Sequence, residues 1–396
     1  MGGPSPRLLA GLAAAHLPAV VALRRDVHAH PELARAEHRT TAAVSALLSA
    51  GGLEVRALPG TGLVAETGPA RGPAVGVRAD LDALPLQELT GLPYASTVPG
   101  VAHACGHDVH TATVAGAALV LADLHRAGAL GHRVRLLFQP AEEVMPGGAL
   151  DLVAAGVLEG VAALYGLHCD PTLDVGTVGL KAGPITSASD HVTVRLSGTG
   201  GHTSRPHLAG DLVFALGQVV TQLPAVIARR VDPRAGVNLT WGAVHAGDAA
   251  NAVPAEGYAA GTLRCMETDA WQHAGELVEE VVADLVRPYA VRSEVSLVRG
   301  VPPVDNDARA TSVLEDAARA VLGREAVLPT RQSLGGEDFA WYLHDVPGAM
   351  VRLGTRTPGG PVHDLHRGDY APDEAAIGAG VRVLAAAAAA PRALLR

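Results

Sequence analysis

Apolar and polar positions follow two different rhythms along the 396 residues. Up to about residue 185, short apolar runs at 63–67, 75–78, 134–138 and 163–167 are separated by alanine-rich stretches such as 40–50 and 111–127. Uninterrupted runs of that length suit strands buried on both faces, and the stretches between them suit helices. The pattern predicts an α/β domain with a mostly parallel sheet flanked by helices. Near Thr186 the rhythm changes to strict alternation at 191–197, 237–244, 257–264 and 293–298, interleaved with amphipathic helical stretches at 211–230 and 270–286. That is the pattern of an antiparallel sheet with one buried face. From about Asp305 the first texture returns, and the alanine run at 385–390 reads as a C-terminal helix. The expected organisation is one domain made of residues 1–185 and 301–396, interrupted by an inserted α+β satellite of residues 186–300 with a lid or dimerisation role.

The apolar stretch at 8–23 resembles the core of a signal peptide, but His16 and Pro18 interrupt it, only Arg7 precedes it, and the polar motif R-R-D-V-H-A-H-P-E-L follows at once. It is read as an N-terminal helix. No later stretch reaches the ~20 uninterrupted apolar residues of a membrane span, so no membrane partner is expected. Hydrophobic residues at 48% against 18% charged fit a folded globular chain, and aromatics at 3% leave the core to Val, Leu and Ala. A formal charge of −9 gives no electrostatic footprint for nucleic acid. Three cysteines form no disulfide framework and fit a reducing compartment, so the expected location is cytoplasmic.

Polar clusters follow the predicted strands: Asp80 and Asp82, Glu142 and Glu143, and His168. Ligand sites of open α/β sheets gather outside the carboxyl ends of the strands, so these residues are candidates for one shared site. The segment 103–110 packs His103, Cys105, His107, Asp108 and His110 together. In extended backbone, residues two apart project to one side, which aims Cys105 and His107 at one point, and thiolate plus imidazole suits a zinc-like ion. A buried cysteine in a loop with incidental histidines is the plainer alternative. Glu142 and Glu143 would point in opposite directions from extended backbone, so one carboxylate could bind metal while the other faces an activated water. A solvated acidic turn is the plainer reading of that pair. His366 sits with His363 and Asp364 in a polar loop and is weak evidence alone.

Taken in order, R-R-D-V-H-A-H-P-E-L, R-A-D-L-D-A-L-P, H-A-C-G-H-D-V-H, F-Q-P-A-E-E, G-L-H-C-D-P, G-T-G-G-H-T-S-R-P-H, N-A-V-P, G-T-L-R-C, S-L-G-G-E-D-F-A and the final L-H cover nearly the whole chain. The series resembles the metal-dependent amidohydrolases that cleave N-acyl amino acids (aminoacylases, hippurate hydrolases, indole-acetyl-amino-acid hydrolases), relatives of the dinuclear zinc aminopeptidases and carboxypeptidases. The resemblance implies that Cys105, His107, Glu143, His168 and His366 bind two divalent metal ions. It implies that Glu142 is the general base and Asp82 supports the metal centre. Asp80 stands where the peptidase relatives have a metal-binding histidine. His202 matches a histidine that steadies the oxyanion, in relatives from the neighbouring subunit; whether it serves its own site or the neighbour's is left open. Asn251, Arg264, Gly335 and Gly336 match positions that hold the substrate. The segment L-H-R-G-D-Y departs from the pattern after His366, which puts Arg367 at the rim of the pocket.

The expected activity is hydrolysis of N-acyl or N-aroyl amino acids to a carboxylic acid and a free amino acid by a homodimer or dimer of dimers. The metal is one of Zn, Mn, Ni or Co, all of which suit the donor set. The alternative on the same metals is a dipeptidase or carboxypeptidase acting on small peptides. A thiol enzyme with Cys105 as nucleophile and an inactive binding protein are the rivals from other classes.

Overall fold

The computed structural model describes residues 3–390. The chain begins with helices α1 (Pro6–Ala29) and α2 (His38–Ala50) and strands β1 (Glu54–Ala57), β2 (Leu63–Thr67) and β3 (Ala74–Asp80). Helix α3 (His107–Arg126), β4 (Arg133–Gln139), the short α4 (Ala149–Ala154), β5 (Val161–Asp174), β6 (Val178–Leu180) and β7 (Gly183–Pro184) follow. Next come β8 (Ala188–Ser197), β9 (Gly201–His202), α5 (Leu212–Arg230), β10 (Asn238–His245), β11 (Ala252–Val253), β12 (Glu256–Cys265), α6 (Thr268–Val286) and β13 (Arg292–Val301). The chain ends with β14 (Asp305–Asn306), α7 (Ala308–Leu322), β15 (Val327–Pro329), α8 (Ala340–Asp345), β16 (Gly348–Arg356) and α9 (Ala375–Ala388). Two compact units result: one from the chain up to Ile185, Val304–Arg331 and the chain from Asp338 on, the other from Thr186–Pro303 and Gln332–Glu337.

The first unit is built on an eight-stranded sheet in the order β1-β2-β4-β3-β5-β16-β6-β15. Its centre, β4-β3-β5-β16, is parallel, and antiparallel pairs occur toward the edges, so the mostly parallel sheet expected from the apolar runs is present. Every residue of β3 is buried, as a strand covered on both faces requires. Alternate side chains feed two cores: Leu136, Phe138, Tyr165 and Leu167 enter one, Leu137 and Leu164 the other. Helices α1, α3, α7 and α9 contribute to the first core, and α4 and α8 to the second.

Helix α3 is buried almost all round, and small residues let its neighbours approach. A Cβ on Gly116 would stand 2.6 Å from Val381 Cγ2 on α9. Gly116→Ala is therefore expected to destabilise the unit by about 1–3 kcal/mol through overpacking, read as a lower denaturation midpoint at unchanged slope. Helices α1 and α5 are each long and apolar enough to cross a membrane, yet both turn a buried apolar stripe to a core: Leu9, Ala13, Val20, Leu23 and Val27 on α1, Leu216, Val219, Leu223 and Ile227 on α5.

In the second unit the antiparallel sheet runs β10-β12-β8-β13. Val192, Val194 and Leu196 of β8 pack with α5 and α6 residues such as Val219 and Val278, while His191 and Arg195 point to the exposed face. This is the α+β satellite that the alternating rhythm predicts.

Candidate metal centre

Strand β3 ends at Asp80, and its pairing with β5 ends at Arg78↔Gly166, two residues short of His168. His168 does not close its strand as the sequence implied, because β5 continues to Asp174 along β16. It still lies past the end of β3. Nδ1 of His168 donates to the Cys169 carbonyl at 2.8 Å, which leaves the Nε2 lone pair facing Cys105 Sγ at 3.5 Å. Two ligands of one ion with bonds of 2.0–2.3 Å in tetrahedral geometry stand about 3.5 Å apart.

Cys105 and His107 meet by a route the sequence reading did not foresee. They are not in extended backbone: His107 is the first residue of α3, and Gly106 before it has φ +91°. A Cβ at 106 would stand 2.8 Å from Cys169 Sγ, so only glycine both fits the space and takes the left-handed turn. His107 Nδ1 donates to the Asp82 carbonyl at 2.8 Å, fixing the tautomer. Its Nε2 is buried, makes no hydrogen bond among the described residues, and faces Asp80 Oδ2, Glu142 Oε2 and Glu143 Oε1, each 3.8 Å away. An acceptor buried this way costs about 1–3 kcal/mol unless something satisfies it, and a cation does.

The glutamates also differ from expectation. They do not diverge: both carboxylates face His107. The reversal is made at Ala141, whose φ is +59°. Asp82 then fixes the pair through the backbone, accepting from Glu142 N (3.0 Å) on Oδ1 and Glu143 N (2.9 Å) on Oδ2. Burial alone would raise the Asp82 pKa, but His107 and these amides outweigh it and hold the carboxylate below its ordinary range. His366, with φ +59°, donates its amide to the Ala104 carbonyl and places Nε2 3.3 Å from Glu143 Oε1. Left-handed conformation in two side-chain-bearing residues of one site is strain that the surrounding bonds must hold.

Donor atoms thus gather in overlapping sets: Cys105, His107 and His168; Cys105, Glu143 and His366; His107, Glu142 and Glu143. Soft thiol, imidazole and carboxylate together fit a zinc-like divalent ion. Burial, reinforced by Glu143, pushes the Cys105 thiol well above its ordinary value, and a metal ion is what makes such a group a thiolate.

Asp80 and His110 support this set. Asp80 accepts from His110 Nδ1 (2.7 Å) and Arg78 Nη1 (2.6 Å), and His110 Nε2 accepts from Cys169 N (2.8 Å), so both ring nitrogens of His110 are engaged. Beneath them Arg78 also donates to Gln139 and Asp338, and Tyr342 to Gln139, a buried polar network the sequence reading missed. The arginine of R-A-D-L-D, the glutamine of F-Q-P and the aspartate of G-G-E-D-F were its local signals. Arg367 does not project freely at the rim: its guanidinium is paired bidentately with Asp369 at 2.9 Å.

The remaining candidates belong to the second unit. His202 and Asn251 are neighbours there: His202 pairs with Ala252 across β9–β11, and Thr203 N donates to the Asn251 carbonyl. The exposed His202 ring accepts Ser204 N on Nδ1 (3.1 Å), leaving the proton on Nε2. Arg264 donates to the Leu334 carbonyl at 2.6 Å, next to Gly335 and Gly336.

A mostly parallel α/β sheet whose β3 and β4 ends gather thiol, imidazole and carboxylate donors is equipped as a metal-dependent hydrolase. Residues 76–390 match peptidase family M20/M25/M40, and the chain belongs to that family. A Rhodococcus jostii (strain RHA1) protein named as glutamate–cysteine ligase 2-3 is 51% identical over 368 residues, 93% of this chain, but the chain spans only 46% of that relative's length. N-acetyl-L-cysteine deacetylase of Bacillus subtilis (strain 168) is 37% identical over 361 residues, covering 90% of this chain and 84% of the relative. The crystal structure of a dinuclear metal binding peptidase of the M20 family from Bacillus subtilis is 34% identical, with a TM-score of 0.83 over 95% of this chain and 98% of that one.

Proposed function

We propose that the protein hydrolyses the amide bond of N-acyl amino acids, with two divalent ions held by Cys105, His107, Glu143, His168 and His366. The observation that carries the reading is the division of the glutamate pair. Both carboxylates face His107 Nε2, and Glu143 also shares a donor set with Cys105 and His366, so we assign Glu143 to the ions and Glu142 to the water. Two overlapping sets that share Cys105 support two ions rather than one. When bound, the ions polarise the acyl carbonyl and make a nucleophile of water near neutral pH. Glu142 accepts the proton of the attacking water and passes it to the departing nitrogen. Asp82 acts through Glu142, Glu143 and His107 as a positioning residue. His202, with its proton on Nε2, is a suitable donor to the oxyanion. Asn251, Arg264 and the backbone at Gly335 and Gly336 are assigned to the substrate carboxylate.

The deacetylase relative supports small acyl groups. The peptidase neighbour keeps a dipeptidase or carboxypeptidase as the second reading. We place the enzyme in the cytoplasm as a homodimer through the second unit, where Leu208, Val213, Phe214 and Val244 are exposed apolar side chains. A panel of N-acetyl, N-benzoyl and indole-acetyl amino acids beside dipeptides, run with Zn, Mn, Ni and Co each restored to stripped protein, decides substrate and metal together. Turnover of N-acyl substrates at least about tenfold above dipeptides, by kcat/KM, is expected; the reverse order overturns the first reading. Chelation is expected to abolish activity and restored metal to recover it, whereas a Cys105 nucleophile would survive chelation.

A further inference from the structure

Three consecutive amides carry the turn that presents the glutamate pair, and all three donate to carboxylates. Glu142 N and Glu143 N reach Asp82; Ala141 N reaches Glu37 Oε1 at 2.8 Å, across 104 residues of sequence. Glu37 is fully buried at the start of α2. Its Oε1 also accepts from Arg35 N (2.9 Å), and its Oε2 accepts the Thr61 hydroxyl (2.6 Å). The two residues whose amides share that oxygen, Arg35 and Ala141, are both left-handed, with φ +66° and +59°. For a residue with a Cβ that conformation is disfavoured by roughly tenfold, so it persists only where partners impose it. Ala141 is held on its other side by Gly148 N, which donates to its carbonyl at 2.9 Å.

We infer that Glu37 is a positioning residue for hydrolysis: its carboxylate holds Ala141 in the left-handed turn that aims Glu142 and Glu143 at the His107 Nε2 position. The loop before β2 is part of the same clamp. A Cβ on Gly62 would stand 2.7 Å from the Phe138 carbonyl and from Pro140 Cδ, so the loop carrying Thr61 lies directly on the turn. Without Glu37, Ala141 relaxes to a right-handed or extended conformation and the following carboxylates swing away from the donor set. The inference rests on Glu142 as the base, and Glu142→Gln run in parallel tests that reading separately, since an active Glu142→Gln enzyme defeats the base assignment whatever Glu37 does.

The test compares Glu37→Ala, Glu37→Gln and Glu37→Ala with Ala141→Gly. Each is measured for metal content, kcat and KM, and for amide hydrogen exchange in a peptide spanning 139–145. Glu37→Ala is expected to lose roughly tenfold in kcat with KM nearly unchanged, and to exchange faster in that peptide, because the left-handed turn loses its restraint. Glu37→Gln keeps an acceptor for the two amides and is expected to retain most activity. Glycine takes positive φ without penalty, so Ala141→Gly is expected to recover about fivefold of the loss in the Glu37→Ala background. If Glu37 only anchors α2 to its loop, kcat of folded Glu37→Ala stays within a factor of two and Ala141→Gly recovers nothing; either result overturns the inference. Should Glu37→Ala not fold, Thr61→Val removes one partner of the carboxylate while keeping side-chain shape. Lower kcat at constant KM, restored by Ala141→Gly, then supports the inference, and unchanged kcat overturns it.

Discussion

Glu142→Gln is expected to bind its full complement of metal and to lose about a thousandfold in kcat, within the range that general acid–base catalysis contributes. Glutamine keeps the shape and the backbone hydrogen bond from residue 142 to Asp82 Oδ1, which belongs to the main chain. It keeps the neighbouring Glu143, which shares donor sets with Cys105, His107 and His366. What it removes is the one group assigned to accept a proton from water and return it to nitrogen. Metal analysis of the purified variant, beside kcat on an N-acetyl amino acid, separates the two effects. A variant that turns over at more than about a tenth of the parent rate places the base elsewhere. A variant that loses metal makes Glu142 a ligand and reverses the division of labour between the two glutamates.

Much of this site could be read from the sequence, but the reasons it assembles could not. The apolar runs placed Asp80 at the end of β3 and Glu142 beyond the end of β4, because a doubly covered parallel strand has a composition of its own. They ended β5 too early, since His168 lies inside it. The period-2 runs likewise exposed the second unit, where β8 buries Val192, Val194 and Leu196 on one face. The extended backbone assumed at 105–107 and 142–143 was wrong in both places. Gly106 carried a visible signal, since glycine before a helical His-Asp permits a left-handed start. Ala141 carried none: alanine favours right-handed backbone, and its φ of +59° is imposed by Glu37 and Gly148, which are far away or beyond the motif. Strand β16 escaped as well, because Arg352 and glycines interrupt G-A-M-V-R-L-G-T-R, although it lies in the middle of the sheet. Local pattern reports burial; it does not report which distant carboxylate will hold an amide.

Asp82→Ala carries the second large effect, and its signature differs from that of Glu142→Gln. Both Asp82 oxygens serve main-chain donors, at 3.0 and 2.9 Å, and its own carbonyl sets the His107 ring. Its side chain is buried, so removing it leaves two amides without acceptors, at about 1–3 kcal/mol each, or forces the turn to find water. The turn carries a proposed ligand and the proposed base together. Metal affinity is therefore expected to fall about 10–100-fold, the usual consequence of losing an orienting partner, with a comparable fall in kcat once metal is restored to saturation. Asp82→Asn is not expected to rescue. One of its two terminal atoms is an amide nitrogen, and in either flip that donor faces the N–H of Glu142 or Glu143. This contrasts with Glu37, where glutamine can keep its oxygen toward the amides and turn its nitrogen to the Thr61 hydroxyl, which can accept. The pair of asparagine and glutamine variants thus separates two carboxylates that hold one turn. Isothermal titration with zinc gives the affinity, and kcat at saturating metal gives the rest. An Asp82→Asn enzyme with parental metal affinity and kcat would show that the turn does not depend on Asp82 and would overturn its positioning assignment, while Glu37 and Gly148 still hold Ala141.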